Sequence, residues 1–90
     1  MASVILGTEH ECYICAKPYP LERHHLYAGT RRQISERYGA CVMLCPEHHR
    51  LAHHAGWIPT YLKRKGQEAL MRREGWTVEN FISEFGRSYL

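Results

Sequence analysis

The chain contains no aspartate, and it has no hydrophobic run of the length that crosses a membrane. Without aspartate, the acidic side rests on nine glutamates against twelve basic residues, nine of which are arginine. The resulting net charge of +3 and pI near 8.8 exclude a strongly acidic protein. An arginine-rich, mildly basic surface suits phosphate-bearing partners, but many proteins with other roles share that charge, so it agrees with a conclusion rather than carrying one. The Val4-Ile5-Leu6 run is too short for a signal core or a membrane span and has no basic region before it. The chain therefore reads as cytoplasmic. It also lacks internal repeats, low-complexity tracts and linkers, which excludes a repeat array. The expectation is a single domain over residues 1–90, with the modest core that a hydrophobic content of 44% allows.

The chain is rich in histidine and cysteine. Six of its seven histidines fall in three pairs, His24-His25, His48-His49 and His53-His54. Its four cysteines fall in two clusters, Cys12-x-x-Cys15 and Cys41-x-x-x-Cys45. In a reducing compartment that combination points to metal rather than to disulfides, and a small domain is often stapled by metal. The numbers suffice for two sites, one to hold the fold and one to do chemistry.

Residues 1–8 read as a loose or edge segment, and 11–19 as a turn able to wrap a metal. Leu21 to Tyr27 alternates in part and reads as a strand, with Leu21, Arg23, His25 and Tyr27 on one face. Thr30-x-x-Gln33 fits a capping box for a helix that runs to about Tyr38 and stops at Gly39. Cys41 to Leu44 reads as a second strand. Pro46 then opens a helix that holds His49 and His53 and ends at Gly56. Pro59-Thr60 opens another helix of about a dozen residues, weak at Gly66 and ended by Gly75. Thr77 caps a last helix, Val78 to Phe85, whose Val78, Phe81, Ile82 and Phe85 form an apolar stripe for the core.

The first metal site follows from spacing. Two intervening residues let Cys12 and Cys15 reach one tetrahedral ion, and Cys45-x-x-His48 repeats that spacing, giving a Cys3His structural Zn2+ set. The competing pair is Cys41 with Cys45; otherwise Cys41 is a buried thiol. For the second site, His49 and His53 lie four apart on a helix and share a face. Either His24 or His25 can add a third ligand. Neighbours on a strand point to opposite sides, so one of the two binds metal and the other faces substrate. Three neutral histidines leave positions open on an ion for water and phosphate oxygens, and a free histidine can take a proton from attacking water. Phosphodiester hydrolysis needs both functions.

The series Cys12-x2-Cys15, His24-His25, Leu44-Cys45-x2-His48-His49 and His53 resembles the zinc-stapled branch of the HNH (ββα-metal) endonucleases. The resemblance covers roughly residues 10–56. The His24-His25-Leu26-Tyr27-x-Gly29-Thr30 segment and the terminal Phe85-Gly86-Arg87-x-Tyr89-Leu90 are also similar to short phage-encoded nucleases of this layout. It implies an α+β fold: a small, zinc-stabilised, treble-clef-like ββα-metal domain over 10–56, with a C-terminal helical extension over 57–90. It implies that His25 is the catalytic base. It also implies that His24, His49 and His53 hold one catalytic divalent metal (Mg2+, Mn2+, Ni2+ or Zn2+), beside the structural zinc of Cys12, Cys15, Cys45 and His48. The substrate would be DNA, hydrolysed to a product carrying a 5′-phosphate. Double-strand cutting would call for a homodimer, and other phage DNA-processing proteins are candidate partners. One departure stands out. The position of the family's central Asn, counted from the base or from the first helix histidine, is Ala40 here. Alanine has no amide to brace the base.

Arg31 and Arg32 are candidates for phosphate contacts, as are Lys63 and Arg64 in a charged helix face. Each also reads as an ordinary solvated residue. His10 and His54 read as exposed, Glu47 as a first-turn acid that favours the helix dipole, and Trp57 and Trp76 as packing residues. The alternative to an enzyme is a non-catalytic zinc-binding module that contacts nucleic acid or protein.

Overall fold

The computed structural model describes residues 4–27, 29–54 and 56–90. The architecture is α+β, a two-stranded antiparallel sheet with four helices among the described residues. Strand β1 is Glu22–His25 and β2 is Cys41–Leu44, paired Glu22 to Leu44, Arg23 to Met43, His24 to Val42 and His25 to Cys41. Between the strands lie a 3₁₀ turn, Gly29–Arg31, and helix α1, Arg32–Tyr38. Helix α2, Pro46–Ala52, follows β2 directly. Helices α3, Trp57–Glu74, and α4, Val78–Phe85, complete the chain. No helix among the described residues is long and apolar enough to cross a membrane.

Residues directly opposite in an antiparallel pair share a face, and neighbours alternate. One face of the sheet therefore carries Glu22, His24, Val42 and Leu44, and the other carries Arg23, His25, Cys41 and Met43. Both α1 and α2 pack against β1. The outer edge of β2 is covered too: the backbone N–H groups of Ile5 and Tyr13 donate to the carbonyls of Cys41 and Met43, at 3.0 and 2.9 Å. These bonds place Ile5 and Tyr13 along that edge; residues 1–3 of the segment expected to be loose or at an edge lie outside the described residues.

Several element boundaries differ from the sequence expectation. The Thr30 capping box does not form: α1 begins after Arg31 with no side-chain cap, because the 3₁₀ turn leads the backbone into it. Helix α2 stops at Ala52 rather than at Gly56, with His53 as its C-cap. Helix α3 begins at Trp57, two residues before Pro59. A proline fits within a first turn because the N–H groups there have no helical partner. Gly39, Gly75 and Thr77 act as anticipated, the last through a capping box with Asn80. The stripe on α4 is only half core: Phe81 and Phe85 are buried, while Ile82 is exposed. Trp57 is also exposed, resting on Tyr61, whereas Trp76 packs edge-on against Tyr38.

The core links the sheet to the C-terminal helices. Tyr27, just after β1, is buried against Phe81, Phe85 and Tyr89, and its hydroxyl donates to the Lys63 carbonyl at 2.7 Å. Buried Gln67 accepts from the Tyr89 N–H at 2.6 Å and donates to Ser88 at 3.0 Å, which ties the C-terminal segment to α3. Gly66, which looked like a weak point, is where α3 comes closest to the strand end. A Cβ there would lie 2.5 Å from Leu26 Cδ1 and 2.9 Å from the Tyr27 hydroxyl. Both neighbours are buried and cannot swing into solvent. Gly66→Ala should therefore destabilise the chain by about 1–3 kcal/mol, as overpacking does, despite a helix-propensity gain of about 1 kcal/mol. Urea unfolding followed by circular dichroism checks both sign and size.

Candidate functional site

Two clusters of metal-ligating side chains form, one at each end of α2. At its N-terminus, Cys45 and His48 meet the loop that carries Cys12 and Cys15, and the four ligand atoms lie within 4.8 Å of one another. The loop is pinned by Cys12 N–H donating to Lys17 and Ala16 N–H to Cys12, at 2.9 and 2.8 Å. Cys15 Sγ lies 3.8 Å from Cys45 Sγ, and His48 Nδ1 lies 3.3 Å from Cys45 Sγ and 3.7 Å from Cys12 Sγ. A tetrahedral zinc with Zn–S bonds of about 2.3 Å would set its sulfurs roughly 3.8 Å apart, and a sulfur and a nitrogen roughly 3.6 Å apart. A disulfide would need about 2.05 Å. The tetrad therefore has the separations of an ion's coordination shell. Burial would raise the Cys12 thiol. Hydrogen bonds from the backbone at Cys45, Cys15 and Ile14 outweigh it and bring the thiol down to about 6, so a thiolate ligand is available at neutral pH. Cys41 is not part of this tetrad; it is fully buried on the other face of β2.

The second cluster lies where β1 crosses the C-terminal half of α2. His24, His49 and His53 bring ligand nitrogens within 4.8 Å, with ring centroids 5.0–5.3 Å apart. His24 is buried. Desolvation, followed by the nearby charges of His49, His53, His25 and Lys63, pushes it from 6.5 down to about 4. It is thus neutral and able to ligate at neutral pH. Between those two values the unfolded chain takes up a proton that the folded chain refuses, so stability at this position is lost as pH falls from 6.5 towards 4. His49 Nδ1 lies 2.6 Å from Glu22 Oε1. If that carboxylate is ionised it can only accept, so Nδ1 carries the hydrogen and Nε2 is left to ligate. Three imidazoles, one held in its tautomer by a carboxylate, are a donor set suited to a borderline divalent ion.

His25 points away from this cluster. Its Nε2 lies 2.7 Å from Glu36 Oε1 on α1, and Glu36 Oε2 lies 3.4 Å from Arg23 Nη2. The hydrogen bond from His25, with Arg23 beside it, holds the Glu36 carboxyl below its usual range. Cys41 Sγ is 4.0 Å from the same carboxylate, and burial pushes that thiol up, so it stays protonated. A cavity of about 280 Å³ opens beside both histidines, lined by His24, His25, His53, His54, Pro59 and Lys63 among others.

Of the four basic residues singled out for nucleic acid, Lys63 alone lines this cavity. Arg64 lies on another groove, with Trp57, Thr60 and Tyr61. The Arg31 guanidinium lies against Gly86 at the C-terminal end of α4, and Arg32 is exposed on α1. Two residues were missed by sequence reasoning, Glu22 and Glu36. Glu22 had a signal: it stands two residues before His24 on a strand and so shares its face. Glu36 had none, because only the packing of α1 brings it to β1. No family model, curated protein or solved structure matches this chain.

The Glu22 contact makes a specific forecast for ion binding. Glu22→Ala should weaken divalent-ion affinity at the three-histidine cluster by roughly 10- to 100-fold, as loss of a carboxylate behind a ligating histidine does. The fold and the thiolate tetrad should be unaffected. Calorimetric titration of wild type and variant with Mn2+ or Ni2+ measures the difference.

Proposed function

We propose that this chain is a metal-dependent endonuclease of the HNH type, hydrolysing DNA phosphodiester bonds on a zinc-stapled, treble-clef-like ββα-metal core. The observation that carries this reading is the division of labour at His24-His25. His24 joins His49 and His53 in a donor set for one ion, while its neighbour stays out of that set, bound to a carboxylate, and borders the same cavity. A site built only to bind structural metal has no use for the second histidine.

In this reading Cys12, Cys15, Cys45 and His48 hold the structural zinc, which fixes α2 and hence the two histidines it carries. His24, His49 and His53 hold a catalytic divalent ion, which when bound supplies a Lewis acid against the negative charge of phosphoryl transfer. His25 accepts a proton from the attacking water as its oxygen bonds to phosphorus. The bond from phosphorus to the 3′ oxygen breaks, and the leaving oxygen takes a proton from solvent, leaving a 3′-hydroxyl and a 5′-phosphate. Lys63 lines the cavity, its ammonium 5.6 Å from the centre of the Tyr89 ring, and would meet a phosphate of the bound strand. Arg31, Arg32 and Arg64 lie outside the cavity and would touch backbone only beyond the cleaved bond.

A second reading, a zinc-binding module that contacts nucleic acid or protein without catalysis, draws on one observation: Ala40 stands where the family has its bracing Asn. Cleavage of supercoiled plasmid with added Mg2+, Mn2+, Ni2+ or Zn2+ separates the two. Wild type should nick. His25→Ala should fall by roughly 10²- to 10⁴-fold, the usual worth of a general base, with its ion content unchanged. Cutting by His25→Ala at the wild-type rate would remove His25 from the chemistry. Absence of cutting by wild type with every ion would favour the binding module.

A further inference from the structure

The Ala40 departure leaves a question that Glu36 answers. A general base must present a lone pair in a fixed direction, and an imidazole on a strand can otherwise rotate and change tautomer. Ala40 is fully buried and offers only its backbone, whose carbonyl already accepts from the Leu26 N–H at 3.0 Å. The carboxylate of Glu36 sits instead against the ring, 2.7 Å from Nε2.

We propose that Glu36 is the positioning residue for His25 and does the work of the missing amide from a different element, helix α1. The proposal rests on the reading of His25 as the base. An ionised carboxylate is acceptor-only, so the 2.7 Å contact requires the hydrogen to be on Nε2. That leaves the lone pair on Nδ1 and makes Nδ1 the atom that takes the proton from water. The two carboxylate oxygens are divided: Oε1 faces His25, and Oε2 faces Arg23, which shares the strand face with His25. Arg23 thus sets the carboxylate, and the carboxylate sets the ring.

His25, Glu36 and Cys41 also bring ligand atoms within 4.8 Å, as a metal site would. The positive charge that such a trio would attract is already there, in the guanidinium of Arg23. The Cys41 thiol is fully buried and faces the same Glu36 oxygen as His25, at 4.0 Å, the long end of a sulfur hydrogen bond. Positioning by hydrogen bond is therefore the better account of the geometry.

The test uses the full chain loaded with both ions, comparing Glu36→Ala and Glu36→Gln with wild type on a DNA duplex. Glu36→Ala should lower kcat by roughly 10- to 100-fold, the cost of a misplaced catalytic group, with KM and ion content unchanged. Glu36→Gln keeps an oxygen acceptor and should recover most of that loss. Independently of cleavage, ¹⁵N NMR of histidine-labelled protein should show His25 as the Nε2–H tautomer in wild type and in Glu36→Gln, and as a mixture in Glu36→Ala. Wild-type kcat or an unshifted His25 tautomer in Glu36→Ala would overturn the proposal. Loss of one bound ion from either variant would overturn it too, because the trio would then be a metal site. If wild type fails to cut with any ion, the endonuclease reading fails, and the tautomer measurement still decides whether Glu36 holds His25.

Discussion

The pairing of two four-residue strands is the constraint on which the rest of the site depends. Alternation along β1 sends Glu22 and His24 to one face and Arg23 and His25 to the other. Each face is closed by a different helix, α2 over the first and α1 over the second. A one-residue slip in register would exchange all four side chains between the two environments. The backbone bond from Leu26 N–H to the Ala40 carbonyl extends the ladder beyond the short strands and holds that register, while Ile5 and Tyr13 bond along the other edge of β2.

The second constraint is the tetrad at the N-terminus of α2. A domain of 90 residues buries a limited core, and here the loop carrying Cys12 and Cys15 reaches the helix through the side chains of Cys45 and His48. Binding of an ion to such a set is folding free energy, because no preformed site exists in the unfolded chain. One helix then serves both clusters. Its first turn supplies Cys45 and His48, and His49 and His53 follow on the side that meets β1. Carboxylates stand behind two of the histidines: Glu22 behind His49 and Glu36 behind His25.

Much of this was legible in the sequence, for identifiable reasons. The Cys12-x-x-Cys15 and Cys45-x-x-His48 pairs, the i, i+4 histidines, Pro46, Gly39 and the Thr77 cap are local signals whose meaning depends on a few neighbouring residues. The opposite directions of His24 and His25 follow from strand alternation. What stayed hidden is tertiary. Glu36 lies eleven residues beyond His25 and meets it only because α1 folds back over the strand. Gly66 reads as a helix breaker until Leu26 and Tyr27 are seen pressing on it. Ile82 carries the helical spacing of a core residue, yet it is exposed among the described residues. Arg31 looks like a phosphate contact from its place at the start of the helix that follows β1, but its guanidinium lies against Gly86.

Two candidate ion sites of different chemistry lie on this fold, one closed by cysteines and a histidine and one open with three imidazoles. Titration of the metal-free chain with Co2+, followed by absorption spectroscopy, tests this most directly. Two equivalents should bind. One should give intense thiolate-to-cobalt charge transfer that Cys45→Ser removes, and the other should add weak visible bands without charge transfer that His49→Ala removes. A single equivalent, or thiolate charge transfer at both, would contradict the assignment of His24, His49 and His53 as a separate centre.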